Sequence, residues 1–215
     1  MKKGILAVLW VLIIFFSYKI YDSINGPIEF NKVKNKRYAQ VINRLKTIRK
    51  AQVAHKDVKG VFSNNFDSLI KFIDEGIFTL IEKRDSSYLE YDRVYRIDML
   101  REIIVIDTLG TVTVKDSLFK ESDEYKRMAF IPIKGVEDSV FKIQSTIIDK
   151  NGYKVPVFEV KVSKNIVLFD QNKDLLKQEN DVISVDGVNG PDIILGSLSN
   201  VSINGNWPTI FDATN

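Results

Sequence analysis

Residues Ile5 to Ile20 read ILAVLWVLIIFFSYKI, an apolar run interrupted only by Ser17 and, near its end, Lys19. Carried on to Tyr21 the run is 17 residues long, at the short end for crossing a hydrocarbon core of about 30 Å. It exceeds a typical signal-peptide apolar region, and no small-x-small cleavage sequence follows it; Ser17-Tyr18-Lys19-Ile20-Tyr21-Asp22 does. Tyr18 and Tyr21 stand where interfacial aromatics lie, and Trp10 is the unusual mid-run residue. The run predicts an uncleaved transmembrane signal anchor, with a removed signal peptide as the alternative. Lys2 and Lys3 precede it, while Lys19, Lys32, Lys34, Lys36 and Arg37 follow. A bare charge count favours a cytoplasmic body, but most of the later cations stand beyond the interface, and large domains translocate largely regardless of charge. A short basic head followed at once by an apolar run has the shape of an exported anchor. The expectation is an inner-membrane protein, single-pass, with a cytoplasmic N-terminus and a periplasmic body.

The remaining length suits one globular domain. The absence of cysteine excludes disulfides, thiolate zinc sites and an acylated-cysteine anchor, and leaves the redox compartment open. Ser23-Ile24-Asn25-Gly26-Pro27 reads as a helix break, since proline removes a donor and disfavours helix just before it. From Ile28 a second helical pattern begins. Tyr38, Val41, Ile42, Leu45, Ile48 and Gln52 recur at three- and four-residue steps, an apolar stripe running to about Val58. Between Asn31 and Gly60 there are ten Lys or Arg against one acid, Asp57. Anionic headgroups could attract such a face, but a solvated stalk is the plainer reading. Nucleic acid is unlikely to be the partner, because only Tyr38 interleaves the cations.

Gly60 ends this helix, and Asn64 or Asn65 caps a short one with Phe66, Leu69, Ile70 and Ile73 on one side, closed by Gly76. The two stripes are expected to pack as an αα-hairpin. Strand patterns then take over at Ile77–Ile81, Tyr88–Arg96 and Ile103–Asp107, and Leu109-Gly110 reads as a turn leading into Thr111–Lys115. Val140–Ile148 and Tyr153–Val162 form the clearest hairpin, joined by Asp149-Lys150-Asn151-Gly152, with Pro156 marking an edge or a bulge. Leu175–Gln178 reads as one helical turn, and Trp207-Pro208 in the tail is expected to lie against the sheet. The chain shows no internal repeat.

No motif for chemistry emerges. The lone histidine, His55, reads as a surface residue on the basic helix, with no Cys or second His to share a metal. No G-x-S-x-G, P-loop or G-x-G-x-x-G sequence occurs. The acids are scattered among Lys and Arg in the manner of a solvated surface rather than as a catalytic carboxylate pair. The expectation is a non-enzyme with no cofactor, metal site or small-molecule substrate. Asp followed by Ser or Thr and an aliphatic residue recurs at Asp22-Ser23-Ile24, Asp67-Ser68-Leu69, Asp107-Thr108-Leu109, Asp116-Ser117-Leu118 and Asp138-Ser139-Val140. The pattern is similar to the O-glycosylation acceptor of exported Bacteroidetes proteins, with Thr108, Ser117 and Ser139 as candidates. Turn and cap chemistry is the equal alternative. Asn200-Val201-Ser202 matches the N-glycosylation triplet, which matters only in a eukaryotic secretory route.

Arg37-Tyr38, Val41 to Gln52, Lys59-Gly60-Val61-Phe62 and Phe66 to Ile70, with Val114 to Phe119, Val155 to Glu159 and Gly205-Asn206-Trp207-Pro208, resemble a family of uncharacterised single-pass envelope proteins of Bacteroidetes. The Ile48-Arg49-Lys50-Ala51-Gln52 core and the following Lys59-Gly60-Val61-Phe62 also look like the start of a type IV pilin or pseudopilin. In those proteins a long helix leads into a small β-sheet head, and Lys2-Lys3-Gly4 before Ile5 is similar to a prepilin leader. Leu9 stands where pilins carry a glutamate, and Ser23–Pro27 reads as a break rather than a kink. The order of parts is also similar to that of inner-membrane pilus-alignment proteins.

The reading is α+β: head and transmembrane anchor over 1–22, a linker over 23–27, a basic amphipathic helix and short helix over 28–76, and a β-rich, mainly antiparallel domain over 77–215. The function it implies is a structural component of an envelope-spanning secretion or pilus-like machine, held in a hetero-oligomeric complex with other envelope proteins. Tyr38, Val41, Leu45 and Ile48 are the expected partner-docking set. The alternatives are a glycan- or peptidoglycan-binding module using Trp207 and nearby tyrosines, and a pseudopilin-like filament subunit.

Overall fold

The computed structural model describes residues 2–120 and 122–212; the side chains of residues 2–5, 7 and 8 are not among those described, so Lys2, Lys3 and Ile5 lie outside them. The apolar run and the basic stripe belong to one helix, α1, Lys2–Lys59, 58 residues with Pro27 inside it. At 1.5 Å per residue it is about 87 Å long. The expected break at Ser23–Pro27 does not occur. Proline cancels a single backbone bond at a cost of about 3 kcal/mol, and the i→i−4 ladders on either side carry the helix past it. The earlier division into anchor, linker and body therefore falls within one continuous rod.

The two halves of α1 meet different surroundings. From Leu9 to Ile20 the described apolar side chains are all exposed, Trp10, Phe15 and Phe16 among them. Among the described residues no helix is long and apolar enough to cross a membrane. The run read from the sequence starts upstream of Leu9, where the side chains of Ile5, Ala7 and Val8 are not described. Past Asn35 the apolar stripe goes inside. Tyr38, Val41, Ile42, Leu45, Ile48 and Ala51 are buried in one cluster with Leu69, Ile73, Val114, Tyr125, Met128, Phe158, Val160, Ile193 and Leu195. The body wraps the second half of α1, and that half is its core.

Gly60, at φ 78°, ends α1 by donating its N–H to the Lys56 carbonyl at 2.7 Å. Asn65 then caps α2, Phe66–Glu75, accepting from the Ser68 N–H at 2.7 Å. α2 buries Leu69, Phe72 and Ile73, and the Phe72 ring meets His55 of α1 edge-on at 4.9 Å. Next comes a two-stranded antiparallel ribbon, β1 (Ile77–Asp92) and β2 (Ile97–Thr113). Leu109-Gly110 is not a turn. Leu80 pairs with Gly110 and Ile81 with Thr108, so Leu109 is the extra residue of a β-bulge. The chain reverses instead at Asp92–Ile97, where the Asp92 carboxylate accepts from the Val94 and Tyr95 N–H groups and Arg96 takes φ 54°. Val114–Leu118, expected to begin as strand, is the short helix α3 capped by Thr113.

A three-stranded antiparallel sheet in the order β3-β4-β5 closes the core, with β3 Lys142–Lys150, β4 Tyr153–Ser163 and β5 Asp192–Gly196. The β3–β4 turn is as expected: Asn151 and Gly152 sit at φ 56° and 83°, which a tight hairpin turn requires. β5 covers only Glu159–Ser163, so Pro156 lies where β4 has a single neighbour, and its missing N–H interrupts no ladder there. Between β4 and β5 run α4 (Lys164–Val167) and α5 (Lys173–Asn180).

Leu45 is fully buried at the centre of this cluster. Leu45→Ala is expected to destabilise the body by about 2–5 kcal/mol, and Leu45→Asp to prevent folding by burying an unpaired carboxylate. Thermal melts and soluble yield of the two variants check this; a folded Leu45→Asp body would contradict the packing.

Candidate functional site

The residues expected to dock a partner do not form a surface. Tyr38, Val41, Leu45 and Ile48 are at most 2% exposed, because their stripe is what the sheet packs on. Docking through them is therefore excluded in the folded body. Trp207, expected to offer a stacking surface for glycans, is 7% exposed. Its ring lies over Gly205, where a side chain would collide with it, and Arg49 stands 5.8 Å from its centroid. Its indole N–H donates to Asp212 at 3.3 Å.

His55 is buried rather than on the surface. Its Nδ1 lies 2.6 Å from the Val61 carbonyl. A carbonyl only accepts, so Nδ1 carries the proton in this contact. A cleft of about 370 Å³ brings His55 together with Ser63, Ser68 and Ser145, and no carboxylate lines it. Ser63 and Ser145 are committed to the carbonyls of Asn65 and Phe62. His55 thus pins the Gly60–Phe62 corner to α1, a structural use of the ring. Of the candidate glycosylation sites, Thr108 in β2 and Ser117 in α3 are exposed, while Ser139 is half-buried in a loop.

The basic face of α1 is not simply solvated. Arg37 forks onto Asp170 at 2.6 and 2.8 Å and also donates to the Val167 carbonyl at 3.0 Å. Lys46 donates to the Phe211 carbonyl and lies 3.5 Å from Asp212, which Arg49 approaches at 3.8 Å. Arg44 donates to the Glu124 carbonyl at 3.1 Å. Lys32, Lys36, Lys50 and Lys59 have no ion pair among the described residues.

The most buried charges form a cluster that the sequence did not flag. Lys164 is fully buried, and its Nζ donates to the Glu179 carbonyl at 2.6 Å, the Val188 carbonyl at 2.8 Å and Glu179 Oε1 at 3.3 Å. The same Glu179 carboxylate accepts from Lys34 at 2.9 Å and from the Tyr38 hydroxyl at 3.2 Å. Burial pushes the Lys164 ammonium below its ordinary value while the Glu179 charge pulls it back. Burial, then the Glu179 charge, pushes the Tyr38 phenol up. The three N–H groups of Lys164 are all used within the cluster, which ties α1, α4 and α5 together. No sequence pattern points to it, since Lys164 and Glu179 each sit among ordinary surface residues.

An open groove of about 490 Å³ runs beside α1, with Val53, Ala54, Phe78, Leu118 and Ile203 as an apolar floor and Lys46, Arg49 and Lys50 on its rim. It offers room for an apolar side chain but no nucleophile–base pair. Among the described residues no group of three or more His, Asp or Glu is placed to hold a metal. The ribbon also leaves apolar side chains exposed over most of its length, Leu89, Leu100 and Ile104 among them.

Comparisons with protein families, curated proteins and solved structures find no match to this chain.

The Arg37 hydrogen bond holds the Asp170 carboxyl well below the usual carboxylate range. Because the folded value lies below the unfolded one, the pair's contribution is complete above about pH 4 and is lost as the pH falls toward the folded value. Asp170→Asn is expected to flatten the melting temperature against pH between about 2 and 4, with an effect of at most about 1 kcal/mol because the pair is partly solvated. An unchanged acid limb would contradict the pairing.

Proposed function

We propose that this chain is a non-enzymatic, membrane-anchored structural component of the cell envelope. Its N-terminus lies in the cytoplasm and its body in the periplasm, where it serves an envelope-spanning secretion or pilus-like assembly in complex with other envelope proteins. The observation that carries this reading is the split character of α1. The segment from Leu9 to Ile20 exposes apolar side chains all round the helix, which water does not favour and lipid does. The segment from Tyr38 onward is buried by the body. In this reading residues 5–20 span the bilayer, α1 and α2 form a helical hairpin at the base of the body, and Pro27 lies just outside the membrane. Lys32 and Lys36 are exposed on the turns beyond it.

A second reading, a pseudopilin-like filament subunit, is favoured by the unbroken passage of α1 through Pro27. One rod that is apolar and exposed at its start and carries a β-sheet head at its end is the layout of those proteins. Leu9 in place of the assembly glutamate weighs against it. The glycan-binding alternative loses its stacking residue, since Trp207 is buried. Exposed Thr108 and Ser117 are the acceptors a periplasmic glycosylation route would reach.

A topology reporter fused after Asn215 tests the placement. An alkaline-phosphatase fusion is expected to be active and a cytosol-only fluorescent fusion dark, with the chain remaining in the membrane pellet after carbonate extraction. Activity confined to the cytosol, or release by carbonate, would overturn the reading.

A further inference from the structure

The ribbon of β1 and β2 is about 50 Å long at 3.3 Å per residue, and it has no third strand. A lone two-stranded ribbon is marginal in water, because neither face is covered and both edges are open. Its register sorts the side chains by face, since paired residues point the same way and successive ones alternate.

One face satisfies its own charges. Glu82, Arg84 and Asp107 form one ion-paired group and Glu90 with Arg101 another at 2.8 Å. That face also carries Tyr88, Ile97, Met99, Ile103 and Val105; the other carries Ile81, Leu89, Tyr91, Leu100, Ile104 and Ile106, the more exposed set. Leu89, Leu100 and Ile104 are 63–67% exposed. Together these six leave on the order of 600 Å² of surface open, so two copies set face to face would cover at most about 1,200 Å², the lower end for a stable interface.

The polar residues on that face decide what covers it. Lys83, Asp85, Asp98 and Glu102 lie among the apolar ones. Three carboxylates make lipid a costly neighbour. A second copy fits better. A two-fold axis along the ribbon sets each β1 residue opposite the β2 residue of the same row in the other chain. Leu89 then meets Leu100, the stem of Lys83 covers Ile106, and Asp85 lies over Ile104 with Lys83 as its same-face neighbour. The Ser87 hydroxyl faces Glu102 and the Tyr91 hydroxyl faces Asp98. Two of the three carboxylates thus face a hydroxyl donor of the other copy.

We propose that this ribbon face is a self-association surface through which two copies of the chain pack ribbon on ribbon, in parallel, giving a four-stranded, two-layered stem. The inference does not depend on where the membrane lies.

The chain has no cysteine, so engineered cysteines report only on the chosen positions. Full-length Leu89→Cys and Leu100→Cys chains, mixed in detergent and treated with a short bismaleimide that spans the roughly 10 Å between packed sheets, are expected to give a covalent dimer. Glu90→Cys mixed with Met99→Cys, on the other face, is expected to give none. Leu89→Glu with Ile104→Glu changes only exposed residues, so the variant should keep a cooperative melt of its body while its dimer dissociation constant rises about 30-fold or more. Three results would overturn the proposal: crosslinking equal on both faces, a monomeric full-length chain at micromolar concentration, or a dimer that survives the double glutamate variant. The last would mean that association runs through α1 or through a strand edge.

Discussion

The rest of this molecule depends on one helix whose two halves meet different surroundings, one exposed and one buried. From Tyr38 to His55, α1 supplies the stripe on which α2, α3 and both packed sheet strands close, and its side chains there are buried. From Leu9 to Ile20 the same rod carries apolar side chains with nothing of the chain packed on them. Because the helix runs through Pro27 unbroken, the orientation of one half fixes that of the other. The body does not hang from a flexible tether; it is built around the end of a rod.

Charge matching holds the later chain onto that rod. The cations of α1 find their counter-charges in the last third of the sequence, at Asp170, Glu179 and Asp212. Of the ten basic residues between Asn31 and Gly60, four, Lys34, Arg37, Lys46 and Arg49, are thus used in internal ion pairs. At its deepest point Glu179 gathers Lys34, Tyr38 and Lys164 around one carboxylate. A buried ion cluster of this kind adds little net stability over an apolar replacement, but removing one member strands the others without water, at a cost of about 3–5 kcal/mol. Its effect is to fix which register of α4 and α5 meets α1.

Local signals were legible in the sequence where short-range chemistry decides the outcome. Gly60 and Asn65 end and begin helices as their conformational preferences require, and Asn151-Gly152 turns the β3–β4 hairpin. The stripe of Tyr38, Val41, Leu45 and Ile48 was visible too, but periodicity says only that a face is apolar, not whether the same chain or another one covers it. The ribbon was misread because its reversal uses Asp92 as an acceptor and puts Arg96 at positive φ, with no glycine to mark it. The glycine that looked like a turn, Gly110, sits instead beside a bulge. The Lys164–Glu179 cluster was invisible for a different reason: its members come together only through tertiary packing. Proline at position 27 misled for another reason: it removes one backbone bond, and the ladders on either side continue the helix.

The central claim, that one rigid helix joins the exposed apolar segment to the core of the body, is most directly tested by a spin-label distance across Pro27. Ser17→Cys and Asn43→Cys place labels on exposed positions of α1 in a chain with no other cysteine. In lipid nanodiscs the account predicts a single narrow distribution near 39 Å, the length of the intervening helix at 1.5 Å per residue. A broad distribution, or a mean well below that value, would mean that the helix breaks before the body and would contradict the account.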